Sequence, residues 1–285
     1  MPTTRPCPDC GNDFVASADR CPHCGRPGHY PNVYAAEAGD ETAALQRRYQ
    51  AAKDDAATRG TTSAVESFEA AAGAARVVIA RPEGELQRLI TSDQQLYATY
   101  YQLLNSGVMH PTGGEWDLLR RLADEVLFTG YREQVRFGAL SLDGVGVINY
   151  GDCFIVLRTH MIAHRSSVFE ENSALFMEHH GVMVNRTHKL PFGYRATWDQ
   201  RAKLCVAKLA VKIDAVTPAS SYSSLLLRQG ATSEDDDFVE VHIYGQMTIR
   251  TVEEIAFNPR LKRRPQQIVS KANRARLAKF GVGVR

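Results

Sequence analysis

The fold is decided by one strand-like stretch in the C-terminal third of the chain, Phe238-Val-Glu-Val-His-Ile-Tyr244. Side chains of a strand alternate between its two faces, so the three aliphatic residues of this stretch share one face. The other face carries Phe238, Glu240, His242 and Tyr244. One face therefore suits a buried core, and the other offers ionisable and aromatic groups.

Glu240 is the residue of this stretch that calls for an explanation, because a glutamate is unfavourable in the middle of a Val- and Ile-rich strand. One interpretation is an edge strand on which the carboxylate faces water. The other is a cleft, where a carboxylate beside aromatic rings can stabilise a developing positive charge. The aromatic neighbours favour the cleft.

The rest of the chain mixes helical and strand patterns without a regular βαβ rhythm. Further strands are predicted at 135–140 and Cys153–Leu157, and helices at 85–104, Glu115–Leu127, 198–213 and 220–227. Residues 35–75 are rich in Ala, Glu, Gln, Lys and Arg, which predicts helices with only a thin apolar face. This mixture predicts an α+β fold with mainly antiparallel strands.

Four of the six cysteines lie in two Cys-x-x-Cys pairs near the N-terminus, at Cys7, Cys10, Cys21 and Cys24. Each pair can point two thiolates at one ion, and two pairs complete a tetrahedral sulfur site typical of a zinc ribbon. Four thiolates leave no open position for water, so we expect a structural zinc. Cys153 and Cys205 stand alone in apolar surroundings, where we expect them to be buried.

Charge is unevenly distributed along the 285 residues, although the formal net charge is only +2. Residues 260–285 carry nine lysines and arginines and no acidic residue, which leaves the remainder acidic. This basic tail is either a solvated helix that begins at Pro265 or a segment that contacts an RNA or DNA backbone or an acidic protein. No stretch approaches the about 20 apolar residues that cross a membrane, and we expect a cytoplasmic protein without membrane contact.

A second segment dense in polar groups runs from Tyr150 through Arg158 to Ser173. Its basic and hydroxyl side chains suit the binding of phosphates or a ribose, and a capped loop explains them equally well. The pair His160 and His164, with residues 178–180, suggests a zinc hydrolase. We disfavour that activity because no glutamate lies between the two histidines to act as the base.

Four stretches together resemble a bacterial family of unknown function, whose members also occur near phage and toxin genes and whose C-terminal parts are similar to ADP-ribosyltransferases. The stretches are Arg136-Phe-Gly-Ala-Leu140, Tyr150-Gly-Asp-Cys-Phe-Ile-Val-Leu-Arg158, Arg165-Ser-Ser-Val-Phe-Glu-Glu-Asn-Ser173 and Glu240-Val-His-Ile-Tyr-Gly245. The resemblance spans roughly residues 95–260 and excludes the cysteine pairs.

The resemblance implies a co-substrate, NAD, and a set of residues that bind it. Glu240 would be the catalytic residue, holding the 2′-hydroxyl of the NAD ribose and stabilising the oxocarbenium-like state as nicotinamide leaves. The cofactor-binding residues would be Arg136, Arg165, Ser166 and Ser167, and we add Tyr244. Transferases that modify protein side chains or guanine often have Gln or Glu two residues before the catalytic Glu. Phe238 stands there, which leaves open the acceptor, simple hydrolysis of NAD, and an inactive core.

The predicted organisation is a zinc ribbon at 1–30, a helical connector at 31–84, an ADP-ribosyltransferase-like domain at 85–259 and the basic tail at 260–285. The predicted function is NAD-dependent mono-ADP-ribosyl transfer to a nucleic acid or protein. The resemblance implies a toxin or phage-defence effector, which would need a neutralising protein partner. The alternative is a non-catalytic zinc-ribbon module that binds nucleic acid or a protein complex.

Overall fold

The computed structural model describes most of the chain, and every statement below concerns the residues it describes. These are residues 4–7, 10–15, 18, 20–25, 30–105, 107, 115–182, 190–261 and 265–285. The predicted basic residues 262–264 lie outside them. Within the described part, no helix is both long and apolar enough to span a membrane.

Twelve strands occur in the described residues, and eight of them form one sheet. The strands are β1 (Thr4–Pro6), β2 (Asp13–Val15), β3 (Arg76–Arg81), β4 (Val135–Ser141), β5 (Cys153–Leu157), β6 (Ser166–Phe169), β7 (Arg195–Thr197), β8 (Leu227–Arg228), β9 (Asp237–Phe238), β10 (Glu240–Tyr244), β11 (Val252–Phe257) and β12 (Gly283–Val284). The order in the large sheet is β12-β11-β5-β3-β4-β10-β6-β7. Its neighbours are antiparallel except β11 and β12, which are parallel.

Helices cover both faces of this sheet. They are α1 (Pro31–Glu37), α2 (Gly39–Thr58), α3 (Thr62–Gly73), α4 (Glu83–Leu89), α5 (Tyr100–Asn105), α6 (Glu115–Leu127), α7 (Thr159–Ile162), α8 (Ser173–His179), α9 (Arg201–Leu209), α10 (Tyr222–Leu226), α11 (Pro265–Ile268) and α12 (Lys271–Lys279). The result is the predicted α+β class with mostly antiparallel strands.

Strand alternation divides the buried residues into the two predicted faces. Val239, Val241 and Ile243 enter the main core, together with Phe68 of α3 and Leu204 of α9. The opposite face of the sheet packs against α6 and α8 in a second, smaller core. Because β10 lies between β4 and β6, the interpretation of Glu240 as an edge-strand residue is wrong.

Several other predicted elements are confirmed with small changes of boundary. The strand Cys153–Leu157 and the helix Glu115–Leu127 occur with the predicted bounds. The predicted helix at 198–213 is α9 with a 3-10 turn at each end. Cys153 and Cys205 are buried as expected, and burial raises the pKa of each thiol to about 12.

The predicted helix at 85–104 is wrong over its middle. The structure has α4 and α5 with an irregular segment between them. Within that segment the Tyr97 N–H donates to the Met247 carbonyl instead of to a helical partner. Tertiary contacts therefore override the apolar spacing that suggested one helix.

The boundaries of the predicted connector and basic tail do not separate independent units. β3, inside the predicted connector 31–84, is a central strand that pairs with both β4 and β5. At the other end, β12 joins the sheet beside β11, and α12 buries Leu277 in the main core. Residues 31–84 and 265–285 are therefore parts of the α+β fold.

Candidate functional site

The two Cys-x-x-Cys pairs come together as predicted. The four Sγ atoms of Cys7, Cys10, Cys21 and Cys24 all lie within 4.8 Å of one another. The Cys7–Cys24 and Cys10–Cys21 sulfur pairs are each 3.6 Å apart. A tetrahedral ion with metal–sulfur bonds of about 2.3 Å holds its sulfurs about 3.8 Å apart, so four thiolates here can hold one metal ion.

Among the described residues, a pocket of about 370 Å³ lies on the Glu240 face of the sheet. Its floor follows one row of paired residues, Glu240, Ala139 and Val78, across β10, β4 and β3. Its walls include Arg81, Arg120, Phe137, Asn149, Tyr150 and Phe238.

A close backbone approach brings Tyr150 to this pocket. Gly151 has a φ of 142°, and a Cβ there would lie 2.2 Å from the carbonyl carbon of Arg81. Only glycine allows the turn to lie directly on β3 in this conformation. The Tyr150 hydroxyl accepts a hydrogen bond from Asn172 Nδ2 at 2.9 Å, which links the turn to the start of α8.

Glu240 is buried, and its two carboxylate oxygens have different surroundings. Oε2 accepts the Ser173 backbone N–H at 3.0 Å and lies 3.0 Å from His242 Nε2. Oε1 lies 3.5 Å from Arg120 Nη2. Glu240 also lines the pocket, and its side chain is only 2% exposed.

The charges around Glu240 keep it ionised. Burial raises the pKa of the Glu240 carboxyl, but the Arg120 guanidinium, His242 and the Ser173 N–H together outweigh burial, so this pKa lies below its usual value. Arg120 also lies over the Phe137 ring, with its Cζ atom 4.2 Å from the ring centroid. The pocket therefore holds an anionic carboxylate beside a cation and an aromatic face.

A second buried carboxylate shares this cation. Asp124, fully buried on α6, lies 3.6 Å from Arg120 Nε and accepts the Tyr101 hydroxyl at 2.8 Å. Burial raises the pKa of Asp124, against the lowering effect of Arg120. One guanidinium thus lies beside two buried carboxyl groups, those of Glu240 and Asp124.

The structure does not bring the predicted arginines to Glu240. Arg136 and Ser166 are both paired with Ile243, so they lie on the opposite face of the sheet from Glu240. The Arg136 guanidinium donates to the carbonyls of Tyr97 and Gln134. Burial and the neighbouring Arg165 lower the pKa of Arg136 to about 10.

The remaining predicted binding residues lie toward the far end of β10. Arg165 donates to the carbonyls of Tyr244 and Gln246, at 2.6 and 2.9 Å. Ser167 shares the Glu240 face but accepts the Asn32 side chain at 3.2 Å. Tyr244 packs against the rings of Tyr30 and Tyr131.

Besides Arg81 of β3, the sequence analysis missed two site residues, Arg120 and Asp124. Both lie on the predicted helix Glu115–Leu127, four residues apart and therefore on one helix face. That face also carries Ala123 and Leu127, which are buried against the sheet. Two charged residues on the apolar face of an amphipathic helix are the signal that could have identified them.

The histidines of the disfavoured zinc-hydrolase interpretation do not form a metal site in the structure. Among the described residues, the four cysteines are the only group of at least three His, Cys, Asp or Glu side chains placed to hold an ion. His179 instead pairs with Glu171 through Nδ1.

No protein-family model matches the chain, and no curated protein matches it. The chemistry of the Glu240 pocket is therefore the basis for a functional assignment.

Proposed function

We propose that this chain is an NAD-dependent mono-ADP-ribosyltransferase and that NAD is cleaved in the Glu240 pocket. The observation that carries the proposal is the buried Glu240 carboxylate, which lines the cavity and has a lowered pKa. The resemblance of the Glu240-Val-His-Ile-Tyr-Gly245 stretch to ADP-ribosyltransferases supports the choice of NAD.

The reaction suits an anionic group at this place. Nicotinamide leaves as a neutral base with the electron pair of the bond between its ring nitrogen and the ribose, and positive charge develops on the ribose. A nucleophile of the acceptor then forms a bond to the same ribose carbon and loses its proton. A fixed carboxylate stabilises the transition state, in which the ribose is positively charged, more than it stabilises the ground state. Because the carboxylate is already oriented, it does not have to rearrange during the reaction.

The other pocket residues fit the remaining parts of a dinucleotide. Arg120 and Arg81, which pair with Glu240 and Glu85, carry the guanidinium groups that can donate hydrogen bonds to the diphosphate. Phe137, Tyr150 and Phe238 offer rings for the nicotinamide or adenine. The 370 Å³ cavity falls in the range of small-molecule sites, about 300–1,000 Å³.

The test is release of nicotinamide from NAD by wild type, Glu240→Gln and the control Glu178→Gln, with RNA, DNA and cell lysate offered as acceptors. Glu178 is exposed on α8, the helix whose first residue binds Glu240, so its substitution removes a nearby carboxylate without changing the pocket. We expect Glu240→Gln to lower the rate by about 100-fold or more, as for other groups that stabilise transition-state charge. Glu178→Gln should match wild type.

The outcomes separate the activities that remain open. Release that needs one acceptor identifies a transferase and its acceptor class, whereas release without any acceptor identifies an NAD hydrolase. If wild type releases no nicotinamide and NAD does not raise its melting temperature, the enzyme proposal is wrong. Salt-sensitive binding of RNA or DNA would then favour the binding module.

We further propose that the four-cysteine site binds structural zinc. The small cluster of Cys7, Phe14 and Cys21 is too small to fold alone, so the metal replaces a hydrophobic core there. We expect about one zinc per chain by elemental analysis, and nearly none in a Cys10→Ser, Cys24→Ser double variant. The control Cys205→Ala, which removes a buried thiol outside the site, should keep the zinc; equal zinc in all three proteins would contradict the assignment.

A further inference from the structure

The two oxygens of the Glu240 carboxylate are used differently. Oε2 has two close polar partners, the Ser173 N–H and His242 Nε2, each at 3.0 Å. Oε1 has the longer contact with Arg120 Nη2, at 3.5 Å. Because the two partners of Oε2 come from different elements, α8 and β10, they fix both the position and the plane of the carboxylate.

His242 donates the bond to Oε2. An ionised carboxylate has no proton to donate, so the contact requires a proton on His242 Nε2. His242 is two residues from Glu240 on the same strand, so both side chains project from the same face of the sheet.

Aromatic packing holds the imidazole in this orientation. The ring centroids of Phe128, Phe137 and Phe169 lie 4.7, 5.6 and 5.7 Å from that of His242, which is only 3% exposed. A polar ring in such surroundings is costly unless it makes a hydrogen bond, and the bond to Glu240 meets that need.

We infer that His242 is a positioning residue that, with the Ser173 N–H, holds Oε2 of Glu240 and leaves Oε1 as the oxygen that meets the ligand. The effect of His242 on the rate of NAD cleavage rests on the proposed function. The placement of Glu240 by His242 can be measured independently of that function. Within the proposed reaction, Oε1 is the atom that faces the ribose.

Three substitutions separate positioning from packing. His242→Gln places an amide N–H near the position of Nε2, His242→Asn has a shorter reach, and His242→Leu fills space without a donor. We expect His242→Leu and His242→Asn to lower kcat for nicotinamide release by about 10- to 100-fold, with KM changed less than about threefold. His242→Gln should restore most of the loss.

A second measurement uses the carboxyl carbon of Glu240, followed by ¹³C NMR during an acid titration of each variant and assigned with Glu240→Gln. The groups that face this carboxyl are Arg120 and Asp124 of α6, His242 of β10, Tyr150, and the Ser173 N–H of α8. His242 lowers the Glu240 pKa, so His242→Leu should raise it and His242→Gln should keep it close to wild type.

The two measurements test the proposed function and the positioning inference separately. A wild type that does not cleave NAD overturns the proposed function, while the titration still decides whether His242 holds Glu240. Equal Glu240 pKa values in wild type and His242→Leu overturn the positioning inference even in an active enzyme. The inference is also overturned if His242→Gln and His242→Leu lose the same activity while both remain folded.

Discussion

Deletion of residues 260–285 is expected to unfold the protein, not to release a separable basic tail. The deleted segment contributes four residues to the main core, Ile268, Val269, Leu277 and Val282. Full burial of an aliphatic side chain contributes about 1.5–3 kcal/mol, and whole domains are stable by only about 5–15 kcal/mol. The segment also supplies the Phe280 and Gly281 carbonyls that accept the Arg158 guanidinium.

The measurement is the yield of soluble protein, and circular dichroism of what remains soluble. A truncated chain with the wild-type spectrum and cooperative unfolding would show that residues 260–285 are dispensable.

A point variant in the same segment gives a quantitative test. Leu277→Ala should lower the free energy of unfolding by about 2–5 kcal/mol in urea, whereas Lys271→Ala, exposed on the same helix, should change it by less than about 0.5 kcal/mol.

This packing changes how nucleic-acid binding is to be tested. A deletion would abolish binding for the trivial reason that the fold is lost. Replacing exposed basic residues of α12, such as Lys271 and Lys279, by uncharged residues removes positive charge and keeps the core intact. If the segment contacts phosphates, each such substitution reduces the slope of log affinity against log salt by about one unit.

The sequence was most informative where one face of an element is buried and the other is polar. Alternation along β10 predicted its two faces, and helical periodicity gave the bounds of α6. β3 was missed because its short apolar run follows a long Ala-rich region that favours helix, and a run of that length has no distinct period. β12 was missed because two residues carry no pattern at all.

The site was predicted only in part, for a related reason. Glu240 stood out because its residue type conflicts with its strand, and such conflicts mark functional positions. The predicted partners Arg136 and Ser166 lie on the other face of the sheet, because both are paired with Ile243 and not with Glu240. Which face a residue shares with Glu240 depends on the register of the paired strands, and the sequence does not specify that register. Arg120 reaches Glu240 through the packing of α6 on the sheet, 120 residues away along the chain.

Arg120→Met is expected to destabilise the protein by about 3–5 kcal/mol at neutral pH, because removal of one partner leaves buried charges uncompensated. Arg120 is the shared cation of Glu240 and Asp124, which are 2% and 0% exposed. Methionine keeps much of the volume and the contact with the Phe137 ring, so the loss reports on charge more than on packing. Urea denaturation at neutral pH measures the difference.

The pH dependence of that difference identifies its cause. In wild type the Glu240 pKa is lowered, so Glu240 contributes stability above its usual pKa that is lost as the pH falls through the folded-state value. Without Arg120 the pKa values of Glu240 and Asp124 both rise, and their protonation removes the uncompensated charge. The destabilisation should therefore shrink as the pH falls toward about 4. Arg121→Met, at an exposed position of the same helix, should show neither effect. If Arg120→Met lost the same stability at both pH values, shape and not charge would explain the role of Arg120, and the ionised state of Glu240 would need another source.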